Sequence, residues 1–447
     1  MKPLFIISCP IDTYSGYGAR SRDIVKSLIE LDQYDIKVLP QRWGNTPWGF
    51  IDDHLEEWAF LNPYLLPPGN NLPSKPKIWA QITVPNEFQP VGDYNIGFTA
   101  GIETTVCDPS WIDGLNRMDL NIVSSEHAKT TFKNSKFAKQ DQYGNNIGDI
   151  FLKKPIEVLF EGADLSKYFP QKSSKFDLSE IKEQFAYLFV GHWMQGNIGE
   201  DRKNTGLLLK LFYETFKDQK NTPALILKSS VGGASYMDRE AILDKIYQVK
   251  STIDAKTLPN VYLIHGDISN KEMNELYNHK KVKAMVSLTK GEGFGRPLLE
   301  FSLTKKPIIT TNWSGHIDFL DDRYTTLING ELKNVDKSAA VENMILAESQ
   351  WFSPNLTETQ HFLQDVFKNY DKYVKKSLLQ YHKSKNHFSY EKMKNLLEQT
   401  LKTYLPEFPH KVELNLPKLS LPKSNTSKID LPKLSLPKPI SLNLKNV

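Results

Sequence analysis

Ten short apolar segments constrain the fold of this chain more than any other feature. Each is rich in Ile, Val, Leu or Phe, and none shows the polar–apolar alternation of a half-exposed strand. They cover residues 4–9, 36–39, 78–82, 96–99, 120–123, 187–190, 224–227, 261–264, 284–288 and 308–311. Strands of parallel sheets have this pattern because helices cover both faces of the sheet. The segments therefore predict buried parallel strands.

Helix-length amphipathic stretches, such as residues 236–253 and 271–279, separate the predicted strands. Alternating strands and helices favour an α/β fold with doubly wound sheets. The strands form two groups of five or more, and the charged stretch 164–183 between them, which contains Pro170, is typical of a linker. We predict two tandem Rossmann-like domains with a ligand cleft between them. The polar stretch 134–154 is predicted to be an exposed loop.

Composition excludes several classes of protein. A length of 447 residues is too great for one ordinary core. A net charge of +4 excludes a uniformly basic nucleic-acid binder. Two cysteines, Cys9 and Cys107, cannot build a disulfide framework or a cysteine zinc site, which favours a reducing, cytoplasmic setting. The apolar start is read as a strand rather than a signal peptide, and no membrane span is expected.

The last residues differ from the rest of the chain. The sequence LPKLSLPK occurs at residues 416–423 and again at 431–438, and residues 410–447 contain seven Lys against one Glu and one Asp. Frequent prolines exclude a regular helix and a central strand. Two interpretations remain open. One is a disordered tail, and the other is a tail that docks on another protein or an anionic surface.

The segment from Lys290 to Glu300, KGEGFGRPLLE, carries the strongest chemical signal. It follows a predicted strand and opens a helix at Pro297, a residue suited to the first helical turn. Its glycines permit close approach of the backbone to a ligand, and free N–H groups at a helix start suit a diphosphate. Carboxylates accept hydrogen bonds from hydroxyl groups. Glu292 is therefore expected to reach a sugar ring and Glu300 the two hydroxyls of a ribose.

This segment resembles the E-x7-E motif of GT-B glycosyltransferases, most closely the retaining family 4. The resemblance extends over residues 1–405. VLFEGAD at 158–164 resembles the crossover into the family's second domain, and SSEHAK at 124–129 resembles a helix start of its first domain. The resemblance implies an N-terminal acceptor-side domain over 1–170 and a nucleotide-sugar-binding domain over 171–384. It also implies a helix over 385–408 that packs back on the first domain, followed by the tail over 409–447.

The resemblance also assigns candidate site residues. It implies that Arg202 and Lys203 neutralise the departing diphosphate. Lys228, at the end of a predicted strand, is a further candidate cation, and Glu103, which follows another predicted strand, is expected to border the cleft. The predicted catalytic residues are Glu292, Arg202, Lys203 and Glu103. The remaining candidates for donor binding are Gly16, Gly18, Gly293, Phe294, Gly295, Arg296, Glu300 and His316. The resemblance implies no metal ion, and no Asp-x-Asp motif follows a predicted strand. It implies no cofactor either, because the nucleotide sugar is a co-substrate.

The implied reaction is transfer of a sugar, with retention of configuration, to a glycan, a lipid-linked or a protein acceptor. A DNA acceptor is not expected, because the chain without its tail carries −1 and has no basic run with interleaved aromatic residues. Two alternatives stay open at this point. One is a GT-B-like sugar-nucleotide epimerase, and the other is a non-catalytic glycan-binding or scaffold protein.

Overall fold

A computed structural model describes residues 2–67, 72 and 74–408. Both interpretations of the repeated tail therefore fall outside the described residues. All ten predicted strands are confirmed, with ends that shift by at most two residues. The predicted fold class is confirmed as well, since two parallel α/β sheets follow one another along the chain.

The first sheet has six parallel strands in the order β2-β1-β3-β4-β5-β8. From the first described residue to the end of β8, the strands in chain order are β1 (Leu4–Cys9), β2 (Asp35–Pro40), β3 (Ile78–Ile82), β4 (Tyr94–Phe98), β5 (Leu120–Val123), β6 (Phe137–Gln140), β7 (Asn146–Ile150) and β8 (Ile156–Val158). Strands β6 and β7 pair with each other outside this sheet. Its helices are α1 (Gly16–Leu31), α2 (Phe50–Asp53), α3 (Leu55–Trp58), α4 (Pro109–Arg117) and α5 (Glu126–Asn134).

The second sheet is also six-stranded and parallel, in the order β11-β10-β9-β12-β13-β14. The remaining strands are β9 (Ala186–Val190), β10 (Ala224–Lys228), β11 (Val261–Ile264), β12 (Val282–Ser287), β13 (Ile308–Thr311), β14 (Thr326–Ile328), β15 (Gly330–Asn334) and β16 (Gln350–Pro354). The helices are α6 (Thr205–Phe216), α7 (Tyr236–Ser251), α8 (Asn270–Asn278), α9 (Arg296–Ser302), α10 (Leu356–Lys368), α11 (Tyr370–His387) and α12 (Tyr390–Tyr404).

Both sheets reverse their strand order near the middle, between β1 and β3 in the first and between β9 and β12 in the second. Ligands of open α/β sheets bind beyond the carboxyl ends of the strands at such a switch point. The loops after β1, β9 and β12 are therefore the loops that the fold places best for binding.

Apolar residues cover both faces of each sheet, which explains the continuous apolar runs. In β1, Phe5 and Ile7 belong to one core cluster and Ile6 to another on the opposite face. In β9, Tyr187 and Leu188 divide in the same way between two clusters. Side chains of successive strand residues point to opposite faces, so a strand buried on both sides must be apolar throughout.

Residues 134–154, predicted to be an exposed loop, instead contain the antiparallel hairpin β6–β7. The loop prediction was wrong because Gly and Asn residues were read as loop signals, whereas the strands of a hairpin that is largely exposed to solvent tolerate polar residues. A second antiparallel pair, β15–β16, follows the second sheet. Among the described residues, no helix is both long and apolar enough to span a bilayer.

Helix α12 packs on the first sheet although it ends the described chain. Met393, Leu397 and Leu401 are at most 1% exposed and share a core cluster with Phe5 and Ile24. The chain therefore returns to its first domain after completing the second. The exact domain boundaries stay a prediction.

Shortening a buried leucine of α12 should destabilise the first domain. We expect Leu397→Ala to lower the free energy of unfolding by about 2–5 kcal/mol, the range for a buried Leu→Ala change. Leu379→Ala on α11 is the matched control, because Leu379 is 50% exposed and should change stability by less than about 0.5 kcal/mol. Urea denaturation followed by circular dichroism measures both, and equal losses would show that α12 does not belong to this core.

Candidate active site

The loop after β12 lies directly against the first domain. A Cβ atom on Gly291 would lie 2.0 Å from the carbonyl oxygen of Glu103, and one on Gly293 would lie 2.5 Å from that of Ala100. Only glycine permits this approach. Gly295 then adopts φ +96° and begins α9, a conformation that a side chain disfavours.

A second loop, between β9 and α6, carries the candidate cations Arg202 and Lys203. The backbone N–H of Lys290 donates to the carbonyl of Arg202 at 2.8 Å, so the two loops are joined by their main chains. Asn204 follows at φ +58° and starts α6, a left-handed position that Asn tolerates better than most residues. The neighbouring strands β9 and β12 thus bring the two loops side by side.

The two loops form one charged cluster. Lys203 Nζ lies 2.5 Å from Glu292 Oε1. Arg202 Nη1 lies 3.5 Å from Glu292 Oε2 and 3.6 Å from Oε1 of Glu103, which belongs to the first domain. Arg202 also donates to the carbonyl of Gly291 at 2.8 Å. All four residues predicted to be catalytic are therefore in one place.

Burial and charge oppose each other in this cluster. Burial raises the pKa of Glu292, but Lys203 and Arg202 outweigh it and lower that pKa to about 2. Burial lowers the pKa of Lys203 despite the attraction of Glu292. Burial also acts to lower the pKa of Arg202, but Glu103 and Glu292 raise it overall. Glu292 is thus ionised at neutral pH, and the two buried cations have carboxylates as their counter-charges.

Glu300, the predicted ribose ligand, is held by a second network. Arg296 Nε lies 3.0 Å from Glu300 Oε1, and Arg296 Nη1 lies 2.7 Å from Asp23 Oδ2 on α1. The hydroxyl of Tyr277 donates to Glu300 Oε2 at 3.4 Å. Burial raises the pKa of Glu300 in spite of Arg296. Arg296 therefore links the candidate ribose carboxylate to the first domain.

His316 is fully buried beside Gly295 and offers a free ring nitrogen. Its Nε2 lies 2.7 Å from the carbonyl of Thr311, which can only accept, so Nε2 carries the proton. Its Nδ1 has no hydrogen-bond partner among the described residues. Burial lowers the pKa of His316, so the ring is neutral at pH 7. An acceptor of this kind is suited to a hydroxyl group.

The other predicted residues have more local contacts. Lys228 Nζ donates to the carbonyl of Gly266 at 2.6 Å and not to the Glu292 cluster. The ring of Phe294 packs on Phe319 in the core, which leaves only its backbone for a ligand. A Cβ on Gly18 would lie 2.3 Å from the carbonyl of Thr13, so this glycine is required by the turn itself, whereas one on Gly16 would meet no atom within 4 Å.

Three residues of the site escaped the sequence analysis. Asp23 and Tyr277 contact the Arg296–Glu300 pair, and the hydroxyl of Ser314 accepts from the backbone N–H of Glu292 at 2.9 Å. The spacing of four residues between Arg296 and Glu300 could have shown their pairing on one helix. Asp23 carried no such signal, because it lies 273 residues from its partner. Among the described residues, no cluster of His, Cys, Asp and Glu fits a metal ion, and metal independence stays a prediction.

Removing the charge of Glu292 should leave two buried cations without their partner. We expect Glu292→Gln to lower the free energy of unfolding at pH 7 by about 3 kcal/mol, as for other broken buried pairs. The pKa of Glu292 falls from 4.5 to about 2 on folding, so its contribution is complete above pH 4.5 and is lost as pH falls toward 2. Urea titrations at pH 7, 5 and 3.5 test this. A difference in the free energy of unfolding between the unaltered chain and Glu292→Gln that grows as the pH falls would contradict the pairing.

Comparisons with known proteins agree with this architecture. Residues 200–354 match the family model described as Glycosyl transferases group 1. A glycosyltransferase from Rickettsia africae superposes with TM-score 0.59 at 12% identity, covering 91% of this chain and all of the other.

Two further structures align equally broadly. Sucrose-phosphate synthase from Thermosynechococcus elongatus has TM-score 0.59 at 12% identity, covering 90% and 99% of the two chains. Anabaena HepE in complex with UDP and glucose has TM-score 0.55 at 11% identity, covering 90% and 100%. A search of curated protein sequences found no match. The predicted resemblance to GT-B glycosyltransferases is confirmed, whereas the family 4 type stays a prediction: the chain has the GT-B fold, and its second domain carries the sequence pattern of the group 1 glycosyl transferases.

Proposed function

We propose that the chain is a retaining glycosyltransferase of the family 4 type, which moves a sugar from a nucleotide-diphosphate sugar to a glycan, lipid-linked or protein acceptor in the cytoplasm. The observation that carries this proposal is the cluster of Lys203, Arg202 and Glu292 at the switch point of the second sheet. The cluster holds two cations and one carboxylate, the groups that a diphosphate and a sugar require. Crystallised HepE, which shares the fold, holds UDP and glucose.

Lys203 and Arg202 are suited to stabilise the leaving diphosphate. Without donor, Lys203 is paired with Glu292 at 2.5 Å. A bound diphosphate carries more negative charge than Glu292, so Lys203 exchanges Glu292 for the diphosphate. Glu292 can then contact the sugar. Charge accumulates on the diphosphate as the glycosidic bond breaks, so fixed cations bind the transition state more tightly than the ground state.

Glu292 is placed to act on the sugar as a carboxylate. Its low pKa keeps it ionised, so it accepts hydrogen bonds from sugar hydroxyls and stabilises positive charge that develops on the ring. The hydrogen bond from its own backbone N–H to Ser314 fixes the main chain of the loop. Retention then needs no covalent enzyme intermediate, because the acceptor attacks from the face that the diphosphate leaves.

Glu300 has a different role in this proposal. The ribose hydroxyls of the donor donate to its carboxylate, whose ionised form Arg296 favours, although burial raises the pKa of Glu300. Ribose takes no part in bond breaking. Its contacts therefore contribute to binding equally in the ground state and the transition state.

The function is tested most simply by donor turnover and by substitution of the cations. UDP-, GDP- and ADP-sugars are screened by thermal shift, and the release of nucleotide diphosphate is then measured with the best donor. We expect Lys203→Ala to reduce this rate about 100-fold or more, as for loss of one preorganised charge contact.

Lys228→Ala is the matched control, because Lys228 is bound to Gly266 rather than to Glu292. It should reduce the rate much less than Lys203→Ala. Near-normal turnover of the Lys203 variant would place the diphosphate elsewhere. A new sugar isomer in place of transfer or hydrolysis would indicate an epimerase, and no turnover of any donor would favour a binding protein.

The two glutamates should separate in their kinetics. We expect Glu300→Gln to raise the KM for donor with little change in kcat, and Glu292→Gln to lower kcat more than it raises KM. The physical reason is that only Glu292 faces the atoms whose charge changes. Steady-state rates over a range of donor concentrations measure both constants, and equal effects of the two substitutions on both constants would contradict these roles.

A further inference from the structure

The hairpin β6–β7 presents an apolar surface that the rest of the fold does not cover. Ile147 is 57% exposed and Phe151 is 39% exposed. Ile147 lies where the pairing of β6 and β7 shifts register, a place at which a side chain is free of the regular alternation of the strands. Tyr143 in the turn is 79% exposed. Phe137 and Ile150, which pair with each other across the two strands, pack on the first-domain core. The hairpin is therefore anchored by this pair and exposes the other three side chains.

Basic side chains lie in and beside the same hairpin. Four lysines in and beside the hairpin form no ion pair with any residue that the structure describes, and three of them, Lys133, Lys136 and Lys139, follow one another at intervals of three. The fourth, Lys153, lies with Nζ 5.3 Å from the ring centre of Phe151. Residues 129–154 contain six Lys against two Asp. One of those, Asp141, accepts hydrogen bonds from the turn itself.

We propose that this hairpin docks on the surface of an anionic lipid bilayer. Exposed Tyr and Phe rings with an aliphatic neighbour are suited to the interface between headgroups and acyl chains. Lysines reach past such rings to place their charge among anionic headgroups. A protruding hairpin fits a flat surface better than a strand of nucleic acid, which proteins bind in a groove.

The hairpin lies away from the cleft between the two domains, so a bilayer can bind the hairpin while the cleft is in use. Helix α5 begins at the cleft, where the backbone N–H of Glu126 donates to Asp318 of the second domain at 2.9 Å. It runs away from the cleft for nine residues, about 13 Å, before the hairpin starts. A bilayer bound to the hairpin thus leaves the cleft in solvent. The proposal is independent of the transferase activity, since it uses none of the site residues.

Vesicle binding by the full chain tests the proposal. We expect co-sedimentation with phosphatidylcholine vesicles that contain one third phosphatidylglycerol, and none with pure phosphatidylcholine. Each lysine at an anionic surface contributes about a five-fold gain, so Lys136→Glu with Lys153→Glu should weaken binding about 25-fold or more. Tyr143→Ser with Ile147→Ser should also weaken it, including at high salt, where charge is screened.

The matched control reverses two exposed lysines of the second domain, Lys220→Glu with Lys280→Glu, which gives the same net charge. It should bind vesicles as the unaltered chain does. All variants keep the basic C-terminal residues, so these cannot explain a difference between them. The proposal is overturned if the hairpin variants bind as tightly as the control, if the unaltered chain ignores anionic vesicles, or if the hairpin substitutions abolish binding to oligo(dT) instead. Unchanged thermal unfolding of each variant excludes misfolding as the cause.

Discussion

The buried pair of Lys203 and Glu292 is the interaction on which the candidate site depends. Neither charge is stable alone at this depth, because burial disfavours the ionised form of each. Each therefore keeps its charge through the other, with Arg202 as the second cation. The fold supplies this proximity by placing β9 beside β12, so that the two loops that follow them meet.

Such a pair is costly for stability but suited to catalysis. A buried ion pair often contributes no more than apolar residues of the same size would. Under the proposed function, its value is that two cations are held ready for a more strongly charged ligand, without reorganisation at the moment of reaction. We propose the same role for Arg296, which pairs with both Glu300 and Asp23.

Several contacts of the site cross between the two domains. Arg202 approaches Glu103, Arg296 pairs with Asp23, and Gly293 lies against Ala100. Every one of these second-domain residues belongs to a loop or helix end that is predicted to touch the donor. Under the proposed function, the donor binds Arg202 and Arg296, which also hold the junction between the domains, so donor binding is expected to alter that junction.

The sequence determined most of the fold, because strands buried on both faces must be continuous apolar runs. It also located Glu292, Glu300, Arg202 and Lys203, since they lie next to such strands within recognisable loops. The partners of these residues were harder to predict. Asp23 and Tyr277 lie on other helices than Arg296 and Glu300. A single sequence does not show which residues of different helices come into contact in the folded chain. The hairpin was missed because polar residues in exposed strands resemble those of a loop.

The most direct test of this account is a crystal structure of the chain with the nucleotide diphosphate that stabilises it best among UDP, GDP and ADP. We predict that Lys203 Nζ moves from Glu292 to an oxygen of the terminal phosphate, that Arg202 contacts the same phosphate, and that Glu300 accepts hydrogen bonds from the ribose hydroxyls. A nucleotide bound elsewhere, with Lys203 still paired to Glu292, would contradict it.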